Sequence, residues 1–347
     1  MNAAKPNAET AQPAPRKKGT NAPRIRLTTS QIRLTVSALG ARMCALDLYE
    51  DSAPNGTNIA IGLSDDDAYM AQDSYIGAIC GRYANRIENS RYRDESGAEI
   101  RLVANEGATH LHGGIDGFDK RMWAITAQSE RSVSFTLTSP DGDQGYRGTL
   151  VTTATYSIVD ENRLRLEITA TCDQTCPVNM TSHAYWNLTG KFDQTASNHI
   201  LQIDADQWLP VDDKLIPLDK PKSVNGTGYD FRNPQRVADM LPNATQGFDH
   251  NFCLNGGRGT LRQIATLSDP DSGRWMKLFS TEAGLQFYLA QHFASEMKTE
   301  SGIGLHQNAG IALEPQTYPN SPNRPDFPSP WIKPGETYRH VIEWEFS

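Results

Sequence analysis

Residues 178–188 read Val-Asn-Met-Thr-Ser-His-Ala-Tyr-Trp-Asn-Leu, and apolar and polar side chains alternate along them. This period of two predicts a β-strand with one face on an apolar core. The other face carries amides, hydroxyls and one imidazole, but no Lys, Glu or Asp. Such neutral hydrogen-bonding groups suit a neutral, hydroxyl-rich ligand. We therefore interpret this strand as the organising element of the chain. Its ligand face would consist of Asn179, Thr181, His183, Tyr185 and Asn187.

The same alternation recurs at residues 32–36, 133–137, 164–168 and 342–346, with turn sequences rich in Gly, Pro, Asn and Asp between them. No apolar period of 3.6 residues continues beyond a turn or two, and no repeat or linker composition interrupts residues 25–347. These patterns predict an all-β chain. We expect residues 25–347 to form one large antiparallel β-sandwich or distorted barrel.

Charge and composition limit the possible partners and location. Residues 1–24 contain almost no large apolar side chain, so we expect a disordered N-terminal tail. The net charge of −8 argues against nucleic acid or an anionic membrane as a partner. No apolar run approaches the ~18 residues that cross a bilayer, and no apolar segment of a signal peptide follows the N-terminus. We expect a cytoplasmic protein.

The five cysteines, Cys44, Cys80, Cys172, Cys176 and Cys253, form an odd and scattered set. Such a set does not indicate a disulfide framework. The Cys172–Cys176 pair has no second cluster that would complete a zinc site. We expect buried free thiols and no bound metal.

Two segments before the opening strand carry groups that could act on a ligand. Residues 81–87 contain two arginines, and an arginine can clamp oxygen ligands or pair with a carboxylate. We favour a structural role for Arg82, while the spacing leaves the role of Arg86 open. His110 and His112 are expected on one side of a strand. Metal partners are missing nearby in the sequence, so acid–base or hydrogen-bonding use is favoured over metal binding.

Four residues in the second half of the chain are further candidates. His183 has a structural and a functional interpretation, and the neutral face around it favours function. Asp249 could bind hydroxyls or cap a turn, and Gln286 alternates with apolar neighbours. Glu314 lies between Leu313 and Pro315, which argues against a solvated strand end. Burial would raise the pKa of its carboxyl group and make it a better base near neutral pH.

Taken together, the ordered segments resemble the aldose 1-epimerase (galactose mutarotase) family. The resemblance covers nearly all of residues 25–347. The ordered set of segments is a specific signal for the family, although each segment alone would be a weak one. The matching pieces are Gly-Arg-Tyr-Ala-Asn-Arg-Ile (81–87), Leu-His-Gly-Gly (111–114), Gly-Phe-Asp-Lys-Arg-Met-Trp (117–123), Asp-Gly-Asp-Gln-Gly-Tyr (141–146), Pro-Val-Asn-Met-Thr-Ser-His-Ala-Tyr-Trp-Asn-Leu (177–188), Asp-His-Asn-Phe (249–252), Gln-Phe-Tyr (286–288), Leu-Glu-Pro-Gln (313–316), Phe-Pro (327–328) and Lys-Pro-Gly-Glu (333–336).

The resemblance implies a galactose mutarotase-like supersandwich that interconverts the α and β anomers of free aldoses such as galactose and glucose, without a cofactor. It implies that Glu314 is the general base, that His183 is the general acid, and that His112 assists at the ring oxygen. Sugar hydroxyls would be held by Asn85, Arg86, Asp249 and Gln286. The chain departs from the family pattern at Arg147, Trp186 and Asn320, which puts in doubt local loop shape and sugar preference.

Three other functions remain open from the sequence. A non-catalytic sugar-binding protein would not need Glu314, His183 and His112 together. A glycoside hydrolase normally needs two carboxylates, for which Glu314 has Asp249 as a possible partner. An epimerase of phosphorylated hexoses would need extra cations at the cleft. The preferred aldose, and the choice between a monomer and a homodimer, are not indicated by the sequence.

Overall fold

The computed structural model describes residues 16–51, 53–218 and 220–347. Of the expected disordered tail, residues 1–15 lie outside the described residues. Residues 16–23 run along the domain, where Arg16 forms an ion pair with Asp67 and the Ala22 N–H donates to Asp66 Oδ2 at 2.7 Å. The first strand begins at Arg24. The domain boundary at residue 25 stays a prediction.

Strands make up most of the regular structure in the described ranges. In chain order they are β1 (Arg24–Thr28), β2 (Ile32–Ser37), β3 (Arg42–Glu50), β4 (Ala53–Asn58), β5 (Ile79–Cys80), β6 (Arg86–Ile87), β7 (Arg91–Arg93), β8 (Glu99–Arg101), β9 (His110–Leu111), β10 (Ala124–Gln128), β11 (Ser132–Ser139), β12 (Leu150–Asp160), β13 (Arg163–Cys172), β14 (Cys176–Pro177), β15 (Thr181–Ser182), β16 (Tyr185–Trp186), β17 (Ile200–Ile203), β18 (Gln207–Trp208), β19 (Lys222–Ser223), β20 (Gln235–Arg236), β21 (Asp249–Cys253), β22 (Arg262–Ser268), β23 (Trp275–Ser280), β24 (Gly284–Leu289), β25 (Ile311–Gln316), β26 (Trp331–Ile332) and β27 (Tyr338–Phe346).

The helices are short. The two α-helices are α1 (Asp66–Met70) and α2 (Val237–Met240). Single 3₁₀ turns cover Glu88–Ser90, Phe118–Lys120, Asp143–Gly145, Ala196–Asn198, Leu241–Asn243 and Ser321–Asn323. Among the residues that the structure describes, no helix has the length and apolar character needed to cross a membrane.

Two large antiparallel sheets dominate the described part of the chain. One has nine strands in the order β10-β11-β12-β13-β27-β23-β22-β17-β20, and the other has six in the order β16-β25-β24-β21-β18-β19. A four-stranded sheet of β1 to β4 and several two-stranded ribbons complete the fold. The predicted all-β antiparallel sandwich is confirmed.

The core lies where these sheets face one another. Along β13, Leu164, Leu166 and Ile168 are fully buried, and the residues between them are partly exposed. Trp186 of the six-stranded sheet contacts two residues of β27 in the nine-stranded sheet, with ring centroids 5.9 Å from Trp344 and 5.7 Å from Phe346. Because burial of apolar area contributes about 25 cal/mol per Å², this aromatic contact helps to hold the two sheets together.

The segment 178–188 is not the single strand that its alternation predicts. It contributes β15 and β16, which pair with β5 and β25, and it follows β14, which pairs with β26. The apolar set does enter the core, as expected for Val178, Met180 and Trp186. The polar set is also buried, so it is not an open ligand platform. The segment crosses from the β5–β15 ribbon to the six-stranded sheet, and both of its sides are therefore covered.

Candidate active site

A cavity of about 180 Å³ opens over the six-stranded sheet. Its floor comes from β21, β24 and β25. Gln286 pairs with Glu314, and Asp249 pairs with Tyr288. Since alternate residues of a strand share a face, these four side chains point into one cavity. The further lining residues are Asp73, Ser74, Tyr75, Asn85, Arg86, Glu106, Leu111, His112, His183, Tyr185, Leu215 and His292.

All seven side chains predicted for the site line this cavity. Three of them, His112, His183 and Glu314, are the predicted acid–base set, and the others are Asn85, Arg86, Asp249 and Gln286. They come from positions between 85 and 314 in the chain. The fold brings them together from the β6–β9 ribbon with its flanks, from the six-stranded sheet, and from the short connection between β15 and β16 that carries His183.

Asn85 and His112 hold one another at the end of the β6–β9 ribbon. Both residues have left-handed backbones, with φ of 64° and 50°. The His112 N–H donates to the Asn85 carbonyl oxygen at 3.1 Å, and the Asn85 N–H donates to His112 Nδ1 at 3.1 Å. Because Nδ1 accepts a hydrogen bond, the neutral imidazole carries its hydrogen on Nε2. His112 is therefore oriented as a hydrogen-bond donor toward the cavity.

His183 and Glu314 form a buried pair, with Nε2 and Oε1 3.5 Å apart. Glu314 is only 1% exposed. Burial, and secondarily the charge of Asp249, raises the pKa of the Glu314 carboxyl group well above its usual value. Burial lowers the pKa of His183 to about 4. Burial is the first cause of both shifts, and it disfavours the charged form of each group.

Aromatic rings surround the histidines. Tyr75 lies with its ring centroid 4.4 Å from that of His112 and 5.9 Å from that of His183. Tyr185 lies 4.9 Å from His183 on its other side, and its hydroxyl donates to the Ser74 carbonyl oxygen at 3.1 Å. These rings exclude water from both imidazoles. Burial together with the charges of His183 and Arg86 lowers the pKa of His112 well below its usual value.

The rest of the cavity is a network of charged and amide groups. Arg86 donates to both carboxylate oxygens of Glu106, at 2.7 and 2.8 Å, and its Nη1 lies 3.8 Å from Asp249 Oδ2. The Gln286 amide donates to Asp249 Oδ1 at 2.6 Å. Bidentate and charge-assisted bonds of this kind fix side-chain positions. The network therefore presents preoriented donors and acceptors to a ligand.

Several buried polar atoms of the cavity have no hydrogen-bond partner. They are Nδ1 of His183, Oε1 of Gln286 and Oε2 of Glu314. Buried polar atoms in folded proteins are normally satisfied, so atoms such as these are available for a ligand. Donors, acceptors and an acid–base pair thus converge on a space that fits one small polyhydroxylated molecule.

Comparison with known proteins identifies the family. A family model described as aldose 1-epimerase matches residues 23–345. The chain belongs to the aldose 1-epimerase family. It is 36% identical over 325 residues to the galactose mutarotase of Bos taurus, covering 93% of this chain and 94% of the relative. It is 40% identical over 293 residues to the aldose 1-epimerase of Escherichia coli K12, covering 82% and 84%.

Solved structures of aldose 1-epimerase relatives share the fold. An aldose epimerase homologue from C. elegans superposes with a TM-score of 0.87 at 27% identity, covering 94% of this chain and 99% of that one. A galactose 1-epimerase from Lactobacillus acidophilus NCFM superposes with a TM-score of 0.81 at 27% identity, covering 96% and 97%. The likeness extends over the whole sandwich.

Other candidates from the sequence lie outside the cavity of this aldose 1-epimerase. Arg82 donates to the carbonyl oxygens of Gly148 and Ser139 at 2.9 and 3.1 Å, so its structural role is confirmed. His110 donates through Nδ1 to the Val103 carbonyl at 2.6 Å and contacts the Tyr146 hydroxyl at 2.8 Å. The expected common side for His110 and His112 is lost, because β9 ends at Leu111 and His112 turns into a left-handed conformation.

The departures from the family pattern do not touch the cavity. Asn320 supports β6, because its N–H donates to the Arg86 carbonyl at 2.8 Å and its side chain accepts from the Glu88 N–H at 3.1 Å. Arg147 pairs with Asp94 on the surface. The five cysteines are free and buried, as predicted.

Three residues of the cavity also offer atoms that could ligate a metal ion. His112, His183 and Glu314 each place one ligand atom within 4.8 Å of the others, and two imidazoles with a carboxylate suit Zn²⁺. His112 would have to coordinate through Nε2, which carries the hydrogen while Nδ1 accepts from Asn85. The arrangement suits proton exchange better than metal binding.

The sequence did not indicate several residues that line the cavity, among them Tyr75, Glu106 and Leu215. Tyr75 and Leu215 have left-handed backbones in irregular segments, and no sequence pattern connects them to the cavity. Glu106 is found through its ion pair with Arg86. Tyr185 was expected on the same face as His183, and it does line the cavity, although the sequence assigned it no role in the site.

Proposed function

We propose that this aldose 1-epimerase interconverts the α and β anomers of free aldohexoses such as galactose and glucose. The observation that carries the proposal is the buried His183–Glu314 pair, 3.5 Å apart, beside the locked donor His112. The names of the relatives, galactose mutarotase and aldose 1-epimerase, support the same reaction. We also propose a cytoplasmic location and a role in hexose metabolism, as a monomer or homodimer.

The reaction needs two proton transfers on opposite sides of the C1–O5 bond. Glu314 removes the proton of the C1 hydroxyl, and His183 delivers a proton to the ring oxygen as the C1–O5 bond breaks. The sugar opens to the aldehyde, C1 rotates about the C1–C2 bond, and the ring closes on the other face. On closure Glu314 returns its proton to O1 and His183 recovers its proton from the C5 hydroxyl, so the enzyme ends as it began.

The protonation of the pair fits this cycle. The acid–base form has an ionised Glu314 and a protonated His183, and a single proton transfer between them gives the form in which both are neutral. Burial favours the neutral form in the free site. The hydroxyl and ring oxygen of a bound sugar replace lost solvent contacts, and the pair can then act at pH values near neutral.

His112 has a different part in the proposal. Its Nε2–H points into the cavity because Nδ1 is occupied, so it donates a hydrogen bond to the ring oxygen without giving up a proton. A hydrogen-bond donor that points at an oxygen atom on which charge develops during the reaction stabilises the transition state. Asn85, Arg86, Asp249 and Gln286 would hold the remaining hydroxyls. The proposed reaction needs no cofactor, since proton transfer is its whole chemistry.

The competing functions fit this cavity less well. Arg86 is the one arginine among the described lining residues, and it is already paired with Glu106 and lies near Asp249. A phosphate would therefore meet two carboxylates beside that cation. Asp249, the possible second carboxylate of a hydrolase, is bound by Gln286. A purely binding protein would not require the acid–base pair.

Polarimetry tests the proposal directly. Purified protein added to freshly dissolved α-galactose or α-glucose should bring the optical rotation to equilibrium much faster than buffer alone. Aryl glycosides and hexose phosphates serve as comparison substrates. If the rotation of both sugars relaxes at the buffer rate while aryl glycosides are cleaved, the mutarotase function is wrong.

A further inference from the structure

Asn105 and Glu106 are adjacent residues of the loop between β8 and β9. Neither belongs to the acid–base set or to the four side chains proposed to hold sugar hydroxyls. Both are half-buried, and Glu106 lines the cavity. The loop turns back on itself here, because the Glu106 N–H donates to the Thr109 carbonyl at 3.0 Å and the Thr109 N–H donates to the Glu106 carbonyl at 2.9 Å. From this turn, the two side chains bond two different parts of the site.

Asn105 fixes the residue that precedes His112. Its Oδ1 accepts a hydrogen bond from the Leu111 N–H at 2.8 Å, and its Nδ2 donates to the Leu111 carbonyl oxygen at 3.0 Å. Nδ2 also lies 3.4 Å from the Tyr75 hydroxyl, and the Tyr75 ring packs against the ring of His112. Asn105 therefore constrains His112 in two ways, through the backbone before it and through the ring beside it.

Glu106 fixes the guanidinium group of Arg86. Its Oε2 accepts from Arg86 Nε at 2.7 Å, and its Oε1 accepts from Nη2 at 2.8 Å. A bidentate pair of this kind sets the orientation of the guanidinium plane. Because Glu106 takes the edge formed by Nε and Nη2, Nη1 lies on the other side, 3.8 Å from Asp249 Oδ2. Glu106 therefore determines which edge of the guanidinium is turned toward Asp249.

We propose that Asn105 and Glu106 are positioning residues of the site, with Asn105 acting through His112 and Glu106 acting through Arg86. This inference rests on the proposed function. In that function His112 stabilises the transition state, so its displacement should slow the chemical step. Arg86 holds sugar hydroxyls, so its reorientation should weaken binding. Two neighbouring residues should therefore control two different kinetic constants.

The experiment compares kcat and KM for α-galactose and α-glucose, measured by polarimetry. Asn105→Ala should lower kcat by about tenfold, since misplacement of a catalytic group by about 1 Å can cost more than that, and should leave KM nearly unchanged. Asn105→Asp keeps the acceptor for the Leu111 N–H and loses the donor. It should also lower kcat, and it replaces Asn105→Ala if the alanine variant does not fold.

Glu106→Ala should have the opposite signature. KM should rise by about tenfold, because hydrogen bonds to a charged group contribute factors of this order, and kcat should stay nearly unchanged. Without Glu106, the guanidinium of Arg86 can turn onto Asp249 and compete with the sugar. Glu106→Gln keeps one acceptor for the guanidinium and should recover part of the loss.

The adjacent pair Glu161 and Asn162 provides matched controls. The Glu161 side chain is 39% exposed, against 40% for Glu106, and it pairs with Arg131 at 2.8 Å. The Asn162 side chain donates to the Phe346 carbonyl oxygen at 2.6 Å. Neither control residue lines the cavity. Glu161→Ala and Asn162→Ala should therefore match the wild type in kcat and KM.

Double mutants separate positioning from an independent role. In an Arg86→Gln background, Glu106→Ala should raise KM no further. In a His112→Asn background, Asn105→Ala should lower kcat no further, since residues that act through one another are not additive. Additive effects in these backgrounds would overturn the inference. Folded Asn105 and Glu106 variants, checked by circular dichroism, with the kinetic constants of the wild type would overturn it as well.

Nitrogen NMR of the His112 ring gives a readout that does not require catalysis. Asn105→Ala should shift the ring signals of the wild-type protein, and Asn162→Ala should leave them in place. Identical ring signals in Asn105→Ala and the wild type would refute the role of Asn105. Absence of any catalysed mutarotation by the wild-type protein would instead refute the proposed function, and the NMR comparison would still test the positioning of His112.

Discussion

Glu314 and Glu282 are both buried carboxylates that lie near a histidine, but the other groups around them differ. Glu282 is 0% exposed, and its Oε1 accepts from Arg258 at 3.0 Å and from the Tyr338 hydroxyl at 3.5 Å. Glu314 faces the neutral imidazole of His183 across 3.5 Å inside a cavity. A guanidinium compensates the charge of a buried carboxylate, while Glu314 has no such partner and its pKa is raised well above the usual value by burial. The partner of a buried carboxylic acid therefore indicates whether that acid has a structural or a catalytic role.

The largest expected effect separates these two acids by activity. Glu314→Gln and His183→Asn should each lower kcat for galactose mutarotation by about 10²–10⁴-fold, the usual contribution of a general acid or base. Glu282→Gln should leave kcat within a few-fold of the wild type, because Glu282 does not line the cavity. Polarimetry with circular dichroism as a folding control measures both. Near-wild-type rates for Glu314→Gln would remove Glu314 from the reaction.

The next effect concerns a buried histidine with no catalytic part. Burial lowers the pKa of His110 to about 4, below the value of about 6.5 for an unfolded chain. Folding favours the neutral imidazole. The contribution of His110 to the unfolding free energy is therefore complete above about pH 6.5 and is lost as the pH falls toward 4. His110→Asn keeps a donor for the Val103 carbonyl and does not titrate.

The difference in unfolding free energy between wild type and His110→Asn should therefore narrow by up to about 3 kcal/mol between pH 7 and pH 4. Urea denaturation at a series of pH values measures it. A difference that stays constant with pH would show that His110 does not titrate in this window.

A smaller effect tests the ion pair between Arg258 and Glu282. Arg258→Ala leaves the Glu282 carboxylate buried without its guanidinium, and loss of one partner of a buried pair is destabilising. Arg258 is partly exposed, so we expect a discounted loss of about 2 kcal/mol in unfolding free energy. The mutarotation rate at low temperature should be nearly unchanged. Arg339→Ala, which breaks an exposed pair with Glu167, is the control and should cost under about 1 kcal/mol. Equal losses in the two variants would contradict the distinction.

The smallest expected effect tests which ring nitrogen of His112 carries the hydrogen. A glutamine amide can reach the position of Nε2, and an asparagine amide reaches that of Nδ1. Since Nε2 is the donor toward the cavity, His112→Gln should retain about tenfold more kcat than His112→Asn. Nitrogen NMR of the labelled wild-type protein should report hydrogen on Nε2 of this ring. Hydrogen on Nδ1 would exclude the assignment of Asn85 as the donor.

The sequence predicted the sandwich because strand alternation is a local property. It also named seven residues that line one cavity, because the ordered segments resemble one family. It did not predict that residues 178–188 are divided between the β5–β15 ribbon and the six-stranded sheet, since the pairing partners β5 and β25 are distant in the chain. Tyr75 and Leu215 escaped notice because a left-handed backbone in a loop leaves no periodic signal. Arg82 and Arg86 have similar sequence surroundings, and their roles diverge through contacts made by the folded chain.

The last strand in sequence, β27, lies inside the nine-stranded sheet, between β13 and β23. During synthesis, β13 and β23 are therefore both made before the residues of β27, which pair with each of them. Until Tyr338–Phe346 emerges, β13 and β23 present open edges, and open edges are sites of aggregation. Removal of β27 would therefore expose an edge of β13 and an edge of β23 and divide the nine-stranded sheet in two.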